Sequence, residues 1–294
     1  MSLHPGVHSV SVTPFAADES LDEPALRSVV DYYVDSGVAG VLVLGVLGEA
    51  DRLSDGERER VQRIAIEHVR GRVQVTVGIS HPATVVTAER ARAAERAGAT
   101  AVMVAPPAGS TAGPALREHF RRVGDGLSIP LVVQDFPAAG GVQLPVEFLA
   151  DLAHVLPPGS AIKLEDPPTA AKIERLRKAA PALPIFGGLG GTALLQELEA
   201  GSDGTMTGFA LPTILVEIVE AHSGGEPERA RSRFETALPL LVFEAQPVVG
   251  LGVRKEILRR RGAISDATAR QVAASLDSRT LEALDSLLEI EARA

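Results

Sequence analysis

The chain has 294 residues, 45% of them hydrophobic and 23% charged, which suits one large globular domain or two ordinary ones. Its 29 basic and 38 acidic residues leave a formal charge of −9 with no long basic run, which argues against nucleic acid or an anionic membrane as the main partner. Cysteine is absent, excluding disulfides and thiolate chemistry. No apolar run approaches the roughly 20 residues of a membrane span. The opening residues show no signal-peptide pattern, so a soluble, cytoplasmic protein is expected.

In chain order, strands and helices alternate from the start. His8 to Thr13 reads as a strand. Asp22 then caps a helix with Pro24 in its first turn and an inward stripe of Leu26, Val29, Val30, Tyr33 and Val34. Gly40 to Gly45 is a nearly continuous apolar strand. Ser54 and Glu57 form a capping box for the next helix, which carries Val61, Ile64, Ala65 and Val69 inward. Further strands are predicted at Val73–Gly78, Ala101–Ala105, Pro130–Gln134, Ala161–Leu164, Pro184–Phe186 and Gly204–Thr207. Helical patterns separate them at about 84–97, 115–126, 146–155, 168–179 and 191–200.

Gly37, Gly98 and Gly201 each stand where a helix should end, just before a buried strand. Strands that are apolar throughout imply a parallel sheet covered on both faces. Eight such units in about 220 residues fit a (β/α)₈ TIM barrel better than a doubly wound sheet, and no G-x-G-x-x-G follows the first strand. Residues 1–222 are assigned to the barrel and 223–294 to a helical extension of the same domain. The extension shows helical patterns near 226–243, 247–261, 266–275 and 278–292. Its basic cluster, Arg259 to Arg261, reads as a solvated helix end rather than an anion site.

One strand carries unusual chemistry. In Ser160-Ala161-Ile162-Lys163-Leu164-Glu165-Asp166, period-2 alternation puts Lys163 and Glu165 on one face and Ile162 and Leu164 on the other. An ammonium in an apolar interior is disfavoured, so a lysine held there can serve as a neutral amine nucleophile and form a Schiff base with a ketone. A lysine that snorkels to solvent or merely pairs with Glu165 or Asp166 fits the strand as well.

In such barrels chemistry gathers at the C-terminal ends of the strands. Those ends offer Gly45, Val46, Leu47 and Glu49, then Ser80 and His81, then Gln134 and Asp135. The later strands add Gly187, Gly188, Met206 and Thr207. Lys163, Glu165, Gln134 and Asp135 are the catalytic candidates, and the others candidate substrate contacts. The loop from Gly187 to Gly191 could cradle a carboxylate or phosphate with its N–H groups or be only a turn. Ser80 and His81 could cap a helix, and Asp135 could be a loop residue without a role. The seven histidines do not cluster at ligand spacing, so no metal is expected.

With these residues in place, the chain resembles the class I aldolase group of dihydrodipicolinate synthase and N-acetylneuraminate lyase over nearly its whole length. The matching features are Val12-Thr13-Pro14-Phe15, Gly45-x-x-Gly48-Glu49, Pro137, Ile162-Lys163 and the helical tail. The resemblance implies a (β/α)₈ barrel, a Schiff base between Lys163 and pyruvate or another 2-oxo acid, no cofactor beyond that imine, and commonly a homotetramer. Departures are equally informative. Val46 and Leu47 replace two hydroxyl residues usual in the family, and Gln134 replaces a tyrosine ending the fifth strand. A second tyrosine, after the fourth strand, has its place taken by the Pro107-Ala108 region. An arginine for the second substrate of dihydrodipicolinate synthase would fall near Ala139, so that activity is not expected. Ser80-His81, Gln134-Asp135, Lys163-x-Glu165 and Gly204 to Thr207 are similar to the branch containing 2-keto-3-deoxy-L-arabinonate dehydratase. The expected function is a Schiff-base lyase on a 2-oxo acid, either a dehydratase or a pyruvate-dependent aldolase. The rival is a non-catalytic barrel that senses a 2-oxo acid.

Overall fold

The computed structural model describes residues 2–271 and 275–293. Eight parallel strands close into a barrel in sequence order. They are β1 (Gly6–Val10), β2 (Gly40–Val43), β3 (Gln74–Gly78), β4 (Ala101–Val104), β5 (Leu131–Asp135), β6 (Ala161–Leu164), β7 (Ile185–Gly187) and β8 (Gly204–Thr207). The surrounding helices are α1 (Glu23–Asp35), α2 (Asp55–Val69), α3 (Thr84–Ala97), α4 (Pro114–Gly124), the single turn α5 (Pro137–Gly140), α6 (Val146–Leu152), α7 (Thr169–Ala179), α8 (Leu194–Glu199) and α9 (Pro212–Ser223). The tail adds α10 (Pro227–Glu244), α11 (Gly250–Arg260) and α12 (Ser278–Ala292).

Local signals act as their chemistry predicts. Ser54 and Glu57 close both halves of the capping box at α2. Gly37, Gly98 and Gly201 take φ of +81°, +98° and +94°, the left-handed turn that drops the chain from a helix into the next strand. Because the strands are covered on both sides, apolar side chains form two separate clusters. The larger lies between barrel and helices and includes Ile162, Leu164 and Val133. The smaller fills the barrel interior with Val10, Leu42, Met103, Val132, Ala161 and Phe186.

Two stretches differ from the sequence pattern. Helix α9 lies where the pattern marks no helix: its stretch Pro212-Thr-Ile-Leu-Val is apolar on most sides and shows no clear stripe, yet Ile214, Leu215 and Ile218 bury against the barrel. The helix expected at 266–275 does not form over 266–271, and residues 272–274 lie outside the described residues. Here the backbone is spent on tertiary contacts. Asp266 accepts from the N–H and hydroxyl of Thr268, and the Gln271 N–H is given to Glu49. Arg270 clamps Glu57 and the carbonyls of Glu19 and Arg52. Among the described residues no helix is long and apolar enough to cross a membrane.

Candidate active site

The site is set by strand register. Gln134 of β5 lies beside Lys163 of β6, which lies beside Phe186 of β7. Ala161 and Val132, two residues earlier on their strands, belong to the barrel-interior cluster, so Lys163 and Gln134 face inward as well. Lys163 is 5% exposed and its Nζ stands 3.1 Å from Glu165 Oε2. Gln134 Nε2 donates to that same oxygen at 2.7 Å, and the Leu189 N–H donates to Oε1 at 3.1 Å. Two donors thus hold one carboxylate against the lysine. Leu189 takes φ of +46°, uncommon for a leucine, and in doing so presents its N–H to Glu165. One N–H of the glycine-rich loop is thus given to a carboxylate of the protein itself.

Lys163 and Glu165 open into a cavity of about 460 Å³ at the C-terminal mouth of the barrel, within the range of small-molecule sites. Gln134, Gly45, Val46, Leu47, Met206 and Thr207 line it with them. The remaining candidates lie elsewhere. Asp135, next along β5, points outward by strand alternation and meets Lys172 Nζ at 2.6 Å, which also pairs with Asp166 at 2.8 Å. Burial pushes the Asp135 carboxyl up to about 6, with Lys172 acting against it. The expectation that Asp135 takes part in catalysis is corrected on this placement: it ties β5 to α7.

Glu49 is likewise fully buried away from the cavity, paired with Lys255 at 2.8 Å and accepting the Gln271 N–H. It braces the β2 loop from behind and is not among the residues that line the cavity. Ser80 Oγ accepts the Ala105 N–H, and His81 Nδ1 accepts the Ala83 N–H, so both organise loops outside the cavity wall. Gly187 and Gly188 make room for acids. A Cβ on Gly188 would lie 2.6 Å from Glu165 Cδ, and one on Gly187 would lie 2.6 Å from Glu197 Cδ.

The tail supplies a wall that the sequence pattern does not reveal. Glu244, Gln246, Arg254 and Gln271 line the cavity together with Thr192 and Phe136. Arg254 is 3% exposed and its Nε donates to Glu244 Oε1 at 2.7 Å, while the Ala210 N–H donates to Oε2 at 3.0 Å. The available signal was charge in apolar surroundings: Glu244 closes the run Leu240-Leu241-Val242-Phe243, and Arg254 and Lys255 interrupt Val253 and Ile257.

Comparison with known proteins agrees with this architecture. The profile of the dihydrodipicolinate synthetase family matches residues 4–291. The chain belongs to that family. It is 34% identical over 273 residues to an L-2-keto-3-deoxyarabonate dehydratase of Azospirillum brasilense, covering 91% of this chain and 88% of that one. It is 32% identical over 268 residues to a 4-hydroxy-tetrahydrodipicolinate synthase of Acidobacterium capsulatum, covering 89% and 87%. Among solved structures, the dihydrodipicolinate synthase of Rhodopseudomonas palustris superposes with a TM-score of 0.93 at 34% identity over 99% of both chains. A prophage protein of the same family from E. coli K12, solved in complex with pyruvate, gives a TM-score of 0.91 at 26% identity, again over 99% of both. The protein is a lyase of this family.

Proposed function

We propose that the protein forms an imine between Lys163 and C2 of a 2-oxo acid, and that it uses this imine to eliminate water from a 2-keto-3-deoxy sugar acid. The observation that carries the reading is the pairing of Lys163 with a single buried carboxylate, Glu165, which Gln134 and the Leu189 N–H hold in place. The similarity to a 2-keto-3-deoxyarabonate dehydratase, and the pyruvate in the E. coli relative, support the choice of substrate class.

In this scheme the Lys163 amine attacks C2 and the carbonyl oxygen leaves as water, giving a protonated imine. The imine acts as the electron sink. Glu165 accepts a C3 proton, and the electrons of that C–H bond form an enamine. The enamine then expels the C4 hydroxyl, which leaves as a second water with the proton Glu165 had taken, and hydrolysis returns the amine. Over the cycle one water is lost from the substrate. Glu165 is the natural proton carrier because no phenol reaches the cavity. The two tyrosines of the chain lie on α1, where Tyr32 Oη donates to the Ala210 carbonyl and Tyr33 is wholly buried.

Reduction with borohydride in the presence of pyruvate should leave a covalent adduct on Lys163, visible by mass spectrometry and absent in Lys163→Ala. Wild-type protein that emerges unmodified would remove the basis of the proposal. Proton NMR on a 2-keto-3-deoxy sugar acid then separates the chemistries. A dehydrated product is expected; pyruvate with an aldehyde would mark an aldolase instead.

A further inference from the structure

The loop between β2 and α2 forms one wall of the cavity, which Gly45, Val46 and Leu47 line. Among the described residues the N–H groups of Val46 and Leu47 donate to no protein group, as the first turn of a helix leaves them. On the imine reading above, they are donors open to the C1 carboxylate of a bound 2-oxo acid. Their aim depends on the shape of the loop, and that shape runs against the backbone's own preference. Leu44 at φ of +60° and Glu49 at φ of +51° both take the left-handed conformation, uncommon for side chains of their kind.

The loop is held from outside. Thr13 Oγ1 donates to the Gly48 carbonyl at 2.6 Å, and Arg58 Nη1 to the Ala50 carbonyl at 2.9 Å. The remaining contacts come from the tail. Lys255 and the Gln271 N–H take the two oxygens of Glu49, each at 2.8 Å. Arg270 Nη1 donates to the Arg52 carbonyl at 2.9 Å, and its two Nη groups fork onto Glu57, in the first turn of α2, at 3.0 and 2.6 Å. Its Nε and Nη2 reach the Glu19 carbonyl, in the loop after β1, at 3.1 and 2.7 Å. The guanidinium also lies 4.3 Å from the centre of the Phe15 ring. Arg270 does not line the cavity, yet through it the loop after β1, the β2 loop and the start of α2 are all joined to the tail.

We propose that Arg270 is a positioning residue for substrate capture: it straps the tail to the strained β2 loop and so keeps the Val46 and Leu47 N–H groups presented to the 2-oxo acid. The link to the substrate rests on the imine reading. A loop that keeps its competent form about a tenth of the time binds about ten times more weakly, with the chemistry of the bound complex unchanged.

The test uses the full-length protein and compares Arg270→Ala, Arg270→Lys and Arg233→Ala with wild type. Arg233 is another tail arginine, paired with Glu217 and Glu291 away from the cavity, and serves as the control. Borohydride trapping of pyruvate yields a half-saturating concentration and a rate at saturation. In Arg270→Ala the first should rise about 10-fold while the second stays within about twofold of wild type. Arg270→Lys, which keeps the charge and loses the fork, should fall between, and Arg233→Ala should match wild type. A reduced folded fraction lowers the saturating rate and leaves the half-saturating concentration alone, so instability cannot imitate the result. Amide hydrogen exchange over residues 44–52, measured without substrate, should be about 10-fold faster in Arg270→Ala than in wild type or Arg233→Ala. An unchanged half-saturating concentration, a loss confined to the saturating rate, or unchanged exchange in the loop overturns the assignment. Absence of any Lys163 adduct in wild type is a different result: it removes the imine reading, and the exchange comparison still decides whether Arg270 holds the loop.

Discussion

Glu197 allows a quantitative test of how the fold treats a buried acid. It sits on α8, fully buried against Gly187, and neither of its oxygens has a hydrogen-bond partner among the described residues. Burial pushes its carboxyl from 4.5 up to about 7, and the Glu165 carboxylate adds to this. Because the folded-state value lies above the unfolded one, the native state holds the extra proton between them. Stability is therefore highest below pH 4.5, falls as pH rises through about 7, and is level beyond. A gap of about 2.5 pH units at about 1.4 kcal/mol each comes to about 3–4 kcal/mol lost at high pH. At about 2 °C per kcal/mol for a chain of this length, that is about 6–8 °C in Tm. Glu197→Gln cannot ionise and should not suffer this loss. The measurement is the Tm of both proteins from pH 5 to pH 8, read as variant minus wild type. Asp135, raised to about 6, titrates in both and cancels. The difference should grow by several degrees toward pH 8. A flat difference would refute the argument, because it would mean Glu197 carries no penalty when charged.

Gly188→Ala places a Cβ 2.6 Å from Glu165 Cδ, so the carboxylate must move off Lys163. The rate of adduct formation with pyruvate should fall by about 100-fold, the usual consequence of a misplaced group, with little change in Tm. A rate within a few-fold of wild type would show that the carboxylate position is not critical. Lys255→Met leaves Glu49 buried without its partner and should cost about 3–5 kcal/mol in urea denaturation. Adding Glu49→Gln should restore most of that, and a double variant as unstable as the single would argue against the pair.

The barrel was legible because its signals are local and repeated: continuous apolar strands, capping residues and glycines at helix ends. The inward-facing half of the site was legible for the same reason. Strand period alone puts Glu165 on the face of Lys163, and the parity that puts Gln134 inside puts Asp135 outside. Applying that parity to β5 would have removed Asp135 from the catalytic set. The roles of Glu49, Ser80 and His81 were not legible, since their partners are far away in sequence or are backbone groups. Glu49 finds Lys255 206 residues on, and no local pattern encodes that contact. The stretch 266–271 fails as a helix on the same ground, because its backbone groups and Arg270 are claimed by tertiary partners.

The buried ion pairs around the cavity mouth show how the tail becomes part of its wall. A buried pair is weak support for stability, because desolvation offsets most of the attraction, but breaking one is expensive, so such pairs fix register. Arg254 and Lys255 are consecutive on α11 and take partners on different elements: Arg254 meets Glu244 at the end of α10, and Lys255 meets Glu49 in the β2 loop. Lys255 Nζ also donates to the Thr13 carbonyl at 3.0 Å and lies over the Phe15 ring, so β1 and its loop are drawn into the same joint. Helix α11 therefore cannot shift along the barrel without exposing one acid or the other unpaired. This is the restraint a cavity needs when one wall comes from outside the barrel. The Lys163–Glu165 geometry is set by β6 itself, with Gln134 of β5 and the Leu189 N–H holding the carboxylate, and would survive a small movement of the tail, whereas the Arg254 position would not.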